Sequence, residues 1–396
     1  MSHNHSADKC GIRCSFRSIK QTTLSEKDSI VAEIIRVGIV GATVTQGGSG
    51  WGANAHVPAL QALPNYELKA VCTAHEDTAK ASAEKFGADL AFHDIGEMVA
   101  HPDVDLIAVV VRVPWHQDLV MAAINANKPV CCEWPLGAHL PEATEMAEAA
   151  VAAGVPSLVG LQAQSDPAVM YARDLVAGGE IGDIVTVNLR VMVNAIPERG
   201  DGRIWQGIRA NGANPMTIPG GHAVDALCYI AGEFAELSAR VTTRITMWKH
   251  AVTGEDFPVD APDTVTVAGV LENGAEAAYQ VASVPYNASG TSMEIYGRKG
   301  TLRLTSNSVN IGPSRLFMAT GADEMAELTP PDDYILIPKD MAAGPGRNVA
   351  QAYARFAQAR AAGKKASPDF DDAVVRHAMI DAMERSHVEG KVVRLR

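Results

Sequence analysis

His222 lies in the stretch Gly220-Gly221-His222-Ala223-Val224-Asp225, two glycines followed by the start of a helical pattern. Moving a hydride from an alcohol carbon requires a base for the hydroxyl proton. Histidine has the unperturbed pKa nearest to neutral pH and suits that task. A Gly-Gly turn would place the ring at a helix N-terminus, as the candidate catalytic and substrate-binding group. The competing reading is a structural histidine satisfied by backbone; a loop-tip position favours function. Asp225, one turn on, either orients the ring or caps the helix.

A second constellation spans residues 34–56. An apolar run, Val37 to Val40, enters a loop rich in Gly, Ser and Thr, and a helical pattern follows from Ala53 to Leu63. Strand, glycine turn and helix in this order let backbone N–H groups approach a pyrophosphate. Gly41 fits the first glycine of the dinucleotide fingerprint, while Thr43 stands at the second. Cofactor choice follows from the end of the next strand, Val71-Cys72-Thr73-Ala74-His75, which has no carboxylate before Glu76. NAD sites usually place Asp or Glu there to bind the ribose. Without it a 2′-phosphate meets no repulsion, and Thr73 and His75 could hydrogen-bond one. The cofactor is therefore read as NADP or NAD, leaning to NADP.

Other candidates stand where apolar runs end. Glu133 and Trp134 follow Pro129–Cys132, and His116 follows Pro114-Trp115. Trp134 either stacks on a nicotinamide, walls off the substrate, or packs between domains; His116 is read as a cofactor contact. Gln162 and Gln164 follow Pro156–Val159, and neutral amides there suit a hydroxyl-rich substrate. The long segment Asn194–Pro219 carries Trp205 and Arg209 and is expected to cover the pocket. Arg190, Arg203, Arg209 and Lys249 could bind a substrate carboxylate, with solvated surface charge as the plainer reading. His56 is read as a packed or partly exposed helix residue.

The elements that position these groups fall into two patterns. From Arg36 to about Gly160, strands at Val37–Val40, Leu68–Cys72, Leu106–Val111, Pro129–Cys132 and Pro156–Val159 alternate with helices. Unbroken apolar strands indicate a parallel sheet covered on both faces. After helix Pro167–Ala177 the chain turns β-rich, and Thr264–Leu271 alternates at period two. That favours an antiparallel sheet with one buried face. Helical patterns return at Asn348–Ala361 and Asp371–Glu389. The fold class is thus α/β plus α+β: a doubly wound Rossmann sheet, then a mainly antiparallel open sheet. Expected divisions are a flexible extension over 1–33, a dinucleotide domain over 34–162, a sheet domain for substrate and oligomerisation over 163–345, and returning helices over 346–396.

Composition narrows the partners. A net charge of −12 in 396 residues argues against a nucleic-acid binder, which needs a basic face. No apolar run is long enough to cross a bilayer, and the amino terminus lacks the apolar core of a secretory leader. Six cysteines form neither a disulfide framework nor a zinc spacing, so a reducing, cytoplasmic setting is expected. His3, His5, Cys10 and Cys14 match no standard metal site.

Three motifs carry a resemblance over about residues 34 to 396. They are Cys132-Glu133-Trp134-Pro135-Leu136, Gly179-Glu180-Ile181-Gly182-Asp183 and Gly220-Gly221-His222-Ala223-Val224-Asp225. In this order and spacing the chain resembles the glucose–fructose oxidoreductase / inositol dehydrogenase / rhizopine-catabolism family. The resemblance implies NAD or NADP, hydride transfer on sugars, inositols or related alcohols, and a homodimer or homotetramer. It further implies that Gly41, Thr43, Pro114, His116 and Glu133 line the cofactor. Two positions depart from the pattern: the usual catalytic Lys is Trp134, and the usual Asp before the His is Ile218. With Thr43, Ser49 and Trp51 in the glycine loop, these departures resemble the subgroup containing the yeast galactose-pathway transcriptional inhibitor. The expected activity is an NAD(P)-dependent oxidoreductase acting on a sugar-like or cyclic hydroxy or keto compound; the alternative is a redox-inactive NAD(P)-binding regulator that binds a partner.

Overall fold

The computed structural model describes residues 34–44 and 50–395. The amino-terminal extension, with His3, His5, Cys10 and Cys14, and Ser49 of the glycine loop lie outside the described residues.

The first half builds β1 (Ile35–Val40), α1 (Val57–Ala62), β2 (Tyr66–Cys72), α2 (Glu76–Phe86), β3 (Leu90–Phe92), α3 (Ile95–Ala100), β4 (Leu106–Val109), α4 (His116–Asn125), β5 (Val130–Cys132), α5 (Leu140–Ala153) and β6 (Ser157–Val159). The six strands form one parallel sheet in the order β3-β2-β1-β4-β5-β6. Strand order reverses between β1 and β4, which opens a crevice at the strands' carboxyl ends. Every residue of β4 is buried, because helices cover both faces of the sheet. Neighbouring Cys131 and Cys132 enter two different apolar cores, one on each face.

Next come α6 (Pro167–Ala177), β7 (Ile184–Asn194), β8 (Glu198–Arg199), α7 (Gly221–Ala231), β9 (Phe234–Thr242), β10 (Met247–His250), β11 (Asp256–Pro258), β12 (Thr264–Leu271), β13 (Glu276–Val284), β14 (Gly290–Gly297), β15 (Gly300–Ser306), β16 (Arg315–Thr320) and β17 (Ala326–Leu328). The chain closes with α8 (Gly346–Ala361), α9 (Phe370–Glu389) and β18 (Val393–Arg394). Nine strands form a sheet in the order β17-β16-β15-β14-β7-β13-β12-β9-β18. It is antiparallel except where β7 meets β13. The period-two pattern of β12 is visible as Val265 and Val267 buried between Thr264, Thr266 and Ala268. β8, β10 and β11 form a small separate sheet within and beside the long segment after β7.

Both terminal helices return to the first sheet's flanks: α8 packs on α1, and α9 packs on α5 and β9. Asp369 starts α9 through a reciprocal cap with Asp372. No helix among the described residues is long and apolar enough to cross a membrane.

Candidate functional site

The crevice begins at Gly41. Its φ is +99°, and a Cβ there would fall 2.1 Å from the Val110 carbonyl oxygen. The Gly41 N–H donates to Cys72 O at 3.1 Å, so the ends of β1, β2 and β4 meet around a residue that must be glycine. Val44 N–H donates to Ser82 Oγ, and the helical run resumes after Trp51 with a π-type turn, Gly52–His56. At the end of β2, Thr73 Oγ1 donates to His75 O and lies 2.7 Å from Thr78 Oγ1. The hydroxyl is thus already engaged in starting α2, while Ala74 and His75 are exposed.

Deeper in, one buried histidine joins three elements. His56 Nε2 lies 2.8 Å from Glu133 Oε1, and Nδ1 lies 2.9 Å from Tyr353 Oη on α8. The Glu133 carboxylate rests against Gly160, where a Cβ would come within 2.6 Å of Oε1. Gln162 is 1% exposed, and neither amide atom has a partner.

His222 faces this group from the second sheet's side. Its ring is buried, and Nδ1 has no hydrogen-bond partner. Desolvation lowers its pKa to about 4, with the Glu133 charge acting in the opposite direction. The expectation of a ring titrating near neutrality is corrected: burial holds His222 neutral. So is the expected turn. Gly220 and Gly221 have right-handed helical backbones, because a π-type turn, Met216–Gly220, runs straight into α7. The Asn214 side chain accepts from Met216 N and Thr217 N and starts that run. The glycines serve close approach instead. A Cβ at Gly220 would fall 2.5 Å from Tyr279 Oη, and one at Gly221 would fall 2.7 Å from Trp134 Nε1.

That contact corrects the role of Trp134 as a cofactor-facing ring. Its indole N–H donates to Thr217 O at 2.7 Å, and its ring lies 4.7 Å from that of His377. It is packing between the two sheets' layers, the third of the readings its position allowed. Asp225 is likewise corrected from a substrate contact. It is buried, accepts from Gln164 Nε2 and pairs with Arg376, which also holds Glu233. Burial raises its pKa to about 6, against the Arg376 charge and the Gln164 hydrogen bond. The His116 ring is not presented to the crevice. It lies within 3.2 Å of the carbonyl oxygens of Pro135, Leu136 and Val111, and burial lowers its pKa. Arg209 is exposed and pairs with Glu384 at 3.0 Å.

Pro114 is exposed just past β4, and Thr43 is half-buried beside Gly41. Trp205 is half-buried, with its ring 5.6 Å from the Arg112 guanidinium. Arg112 also donates to Asp201 O, so the long segment after β7 does reach the carboxyl end of β4. Glu133, Gln162, Gln164 and His222 are therefore gathered at the junction. His56, Tyr353, Arg112 and Arg376 belong to it without a sequence signal, apart from the place of His56 one turn after the glycine loop.

Buried polar atoms without partners call for a ligand or a water. Here they are the Gln162 amide, Gln164 Oε1 and His222 Nδ1. The Gly41 cradle separately offers the close backbone approach that a dinucleotide's pyrophosphate needs. The fold is that of an NAD-binding Rossmann sheet followed by a mainly antiparallel sheet, the arrangement of an oxidoreductase family. Residues 35–161 match the oxidoreductase family with an NAD-binding Rossmann fold, and residues 167–306 match the C-terminal domain of Gal80p. The chain thus joins an N-terminal domain of the glucose–fructose oxidoreductase / inositol dehydrogenase / rhizopine-catabolism family to a Gal80-like C-terminal domain. It is 29% identical to dehydrogenase aclE of Aspergillus oryzae, over 82% of this chain and 88% of that one. It is 26% identical to the galactose/lactose metabolism regulatory protein GAL80 of Saccharomyces cerevisiae, over 69% of this chain and 67% of that one. Its fold matches that of a levoglucosan dehydrogenase in complex with NADH and L-sorbose, with a TM-score of 0.80 at 22% identity, covering 92% and 99% of the two chains.

Proposed function

We propose that the protein oxidises or reduces a sugar-like or cyclic hydroxy or keto compound with NADP in preference to NAD. The observation that carries this reading is the buried, unpartnered Nδ1 of His222 in the same junction as Glu133. Gly41 and the helical run behind it would hold the pyrophosphate, Thr43, Trp51 and Pro114 would flank the dinucleotide, and Glu133 would face the nicotinamide side. A bound nicotinamide would supply the hydride acceptor for the carbinol carbon. His222 takes the hydroxyl proton at Nδ1 in the neutral tautomer whose ring proton sits on Nε2. The Glu133 carboxylate offsets the imidazolium charge that results, and Gln162 supplies a donor and an acceptor to substrate hydroxyls. Exposed Ala74 and His75, with no carboxylate at the end of β2, support NADP. A homodimer or homotetramer in a reducing cytoplasm completes the reading.

The absorbance of reduced nicotinamide, followed with NAD or NADP and a panel of sugars, inositols and aromatic alcohols, tests it. Reduction with one substrate class, faster with NADP, is expected.

A second reading rests on Trp134 and Ile218, which stand where relatives of this pattern carry proton-handling groups. In it the protein binds NAD(P) without turnover and controls a protein partner. Cofactor binding without reduction of any panel member, together with a partner captured only with cofactor, would establish it.

A further inference from the structure

A cavity of about 320 Å³ lies in the second domain, between the end of β7, the segment 199–219 and the small sheet. That is the size of a small-molecule site. Its lining combines apolar Ile218, Pro219, Trp248 and Val259 with the cationic Arg199 and Arg203. The Arg199 guanidinium is fixed 4.9 Å over the Trp248 ring. Arg199 is half-buried, and both burial and the Arg203 charge disfavour its proton. Among the described residues, neither guanidinium is paired with a carboxylate; Arg199 Nη1 makes a long contact, 3.5 Å, to Glu198 O. Asp263, the one carboxylate in the lining, is already engaged. Its oxygens accept from Arg244 N, Ile245 N and Thr264 Oγ1. Ser283 Oγ, in the same lining, is buried without a partner. Glu198 is the carboxylate whose charge favours the Arg199 proton, without an ion pair to it, and the two like-charged guanidiniums repel one another until an anion sits between them. A guanidinium pair matches the two oxygens of a carboxylate.

We propose that this cavity binds the carboxylate of a small hydroxy acid, with Arg199 and Arg203 on the carboxylate and Ser283 Oγ on a hydroxyl. Sugar acids are the class that fits, with their polar groups towards the arginines and their C–H faces on Ile218 and Pro219. The cavity shares a wall with the reaction centre. Ile218 and Pro219 belong to the π-type turn that runs into α7 and His222. The ligand is either the substrate itself or a separate anion that sets this turn. Its role as substrate rests on the oxidoreductase reading above; the binding site does not.

The test uses the full chain and the probes D-glucuronate, D-gluconate and inorganic phosphate, with D-glucose and sorbitol as neutral counterparts. Binding is followed by calorimetry and tryptophan fluorescence, without cofactor. The sugar acids should bind at least about tenfold more tightly than the neutral compounds, the scale of one charge-assisted hydrogen bond. Arg203→Ala should lose that preference, and Arg203→Lys should keep part of it. Since Arg203 is exposed, neither variant threatens the fold; the same comparison on Arg199→Ala is a second check. Reduction of NAD or NADP with the bound acid identifies it as substrate. Binding without reduction identifies it as an effector, leaving the site intact and counting against this class as substrate. Phosphate binding alone means that the site takes inorganic anions and overturns the hydroxy-acid assignment. Equal binding of acids and neutral sugars, an unchanged preference in Arg203→Ala, or no binding by any probe overturns the site altogether.

Discussion

His56 and Glu133 meet at 2.8 Å, Nε2 to Oε1, and this contact ties the helix after the glycine loop to the end of β5. Tyr353 extends the link to α8 through His56 Nδ1, across 297 positions of the chain. The carboxylate beside the expected nicotinamide position is thus held from behind by the carboxy-terminal part of the protein. Replacing Tyr353 by Phe leaves His56 Nδ1 buried without its partner. A loss of about 1–3 kcal/mol is expected, read by urea unfolding, together with weaker cofactor binding as Glu133 loses its anchor. Unchanged cofactor affinity in Tyr353→Phe would show that the link is structural alone.

Gly41 tests the cradle. An alanine there combines a left-handed φ with a Cβ 2.1 Å from Val110 O, and β1 and β4 must separate to admit it. Cofactor affinity measured by tryptophan quenching should fall at least about tenfold, since pyrophosphate sites depend on close backbone approach. An alanine variant that binds cofactor normally would move the pyrophosphate elsewhere.

Arg376 is buried with Asp225 and also holds Glu233. Removing one partner of a buried ion pair strands the other charge, at a cost of about 3–5 kcal/mol. Arg376→Met should therefore destabilise strongly, and adding Asp225→Asn should recover part of the loss. Chemical denaturation of the two single variants and the double variant gives the coupling directly. Additive losses would mean that the pair is not coupled.

Buried histidines set the acid limit of stability. Burial lowers His222 to about 4 and His377 to about 3, from an ordinary value of 6.5. The unfolded chain takes up protons at these sites below pH 6.5, and the folded chain does so only near the lowered values. The stabilisation is complete above about pH 6.5 and is lost as pH falls towards 4 and then 3. Each histidine accounts for about 3–5 kcal/mol on the scale of about 1.4 kcal/mol per pKa unit. Asp225 acts in the opposite sense. Its raised value, about 6, makes it stabilising at low pH and lost as pH rises through 6, so it offsets part of the slope. Unfolding measured from pH 4 to pH 7 should show a shallower pH dependence in His377→Gln than in the parent chain. An identical slope would remove His377 from the effect.

Much of the fold was legible because both sheets write their environment into local pattern. The alternation of Val and Thr in β12 marks a half-buried strand, whereas Leu106 to Val109 is apolar throughout because helices cover both faces. Short edge strands such as β17 and β18 lack either signal, since edge residues such as Glu327 and Arg394 face water. The site was less legible. Gly220-Gly221 reads as a turn in sequence, but the pair is helical and admits Tyr279 and Trp134, which come from β13 and the end of β5. Nothing near Tyr353 or Arg376 in sequence announces that they hold His56 and Asp225. Such roles are set by tertiary packing, which local pattern does not record.

His222 carries the central claim, and one comparison tests it most directly. Turnover of NAD or NADP with the best substrate of the panel would be measured for the parent chain and for His222→Ala, with cofactor affinity measured on the same samples. Loss of the proton acceptor should lower kcat by about a hundredfold or more, the usual contribution of a general base, and leave cofactor affinity within about twofold. Near-normal turnover in His222→Ala would contradict the account and place the proton transfer on another group.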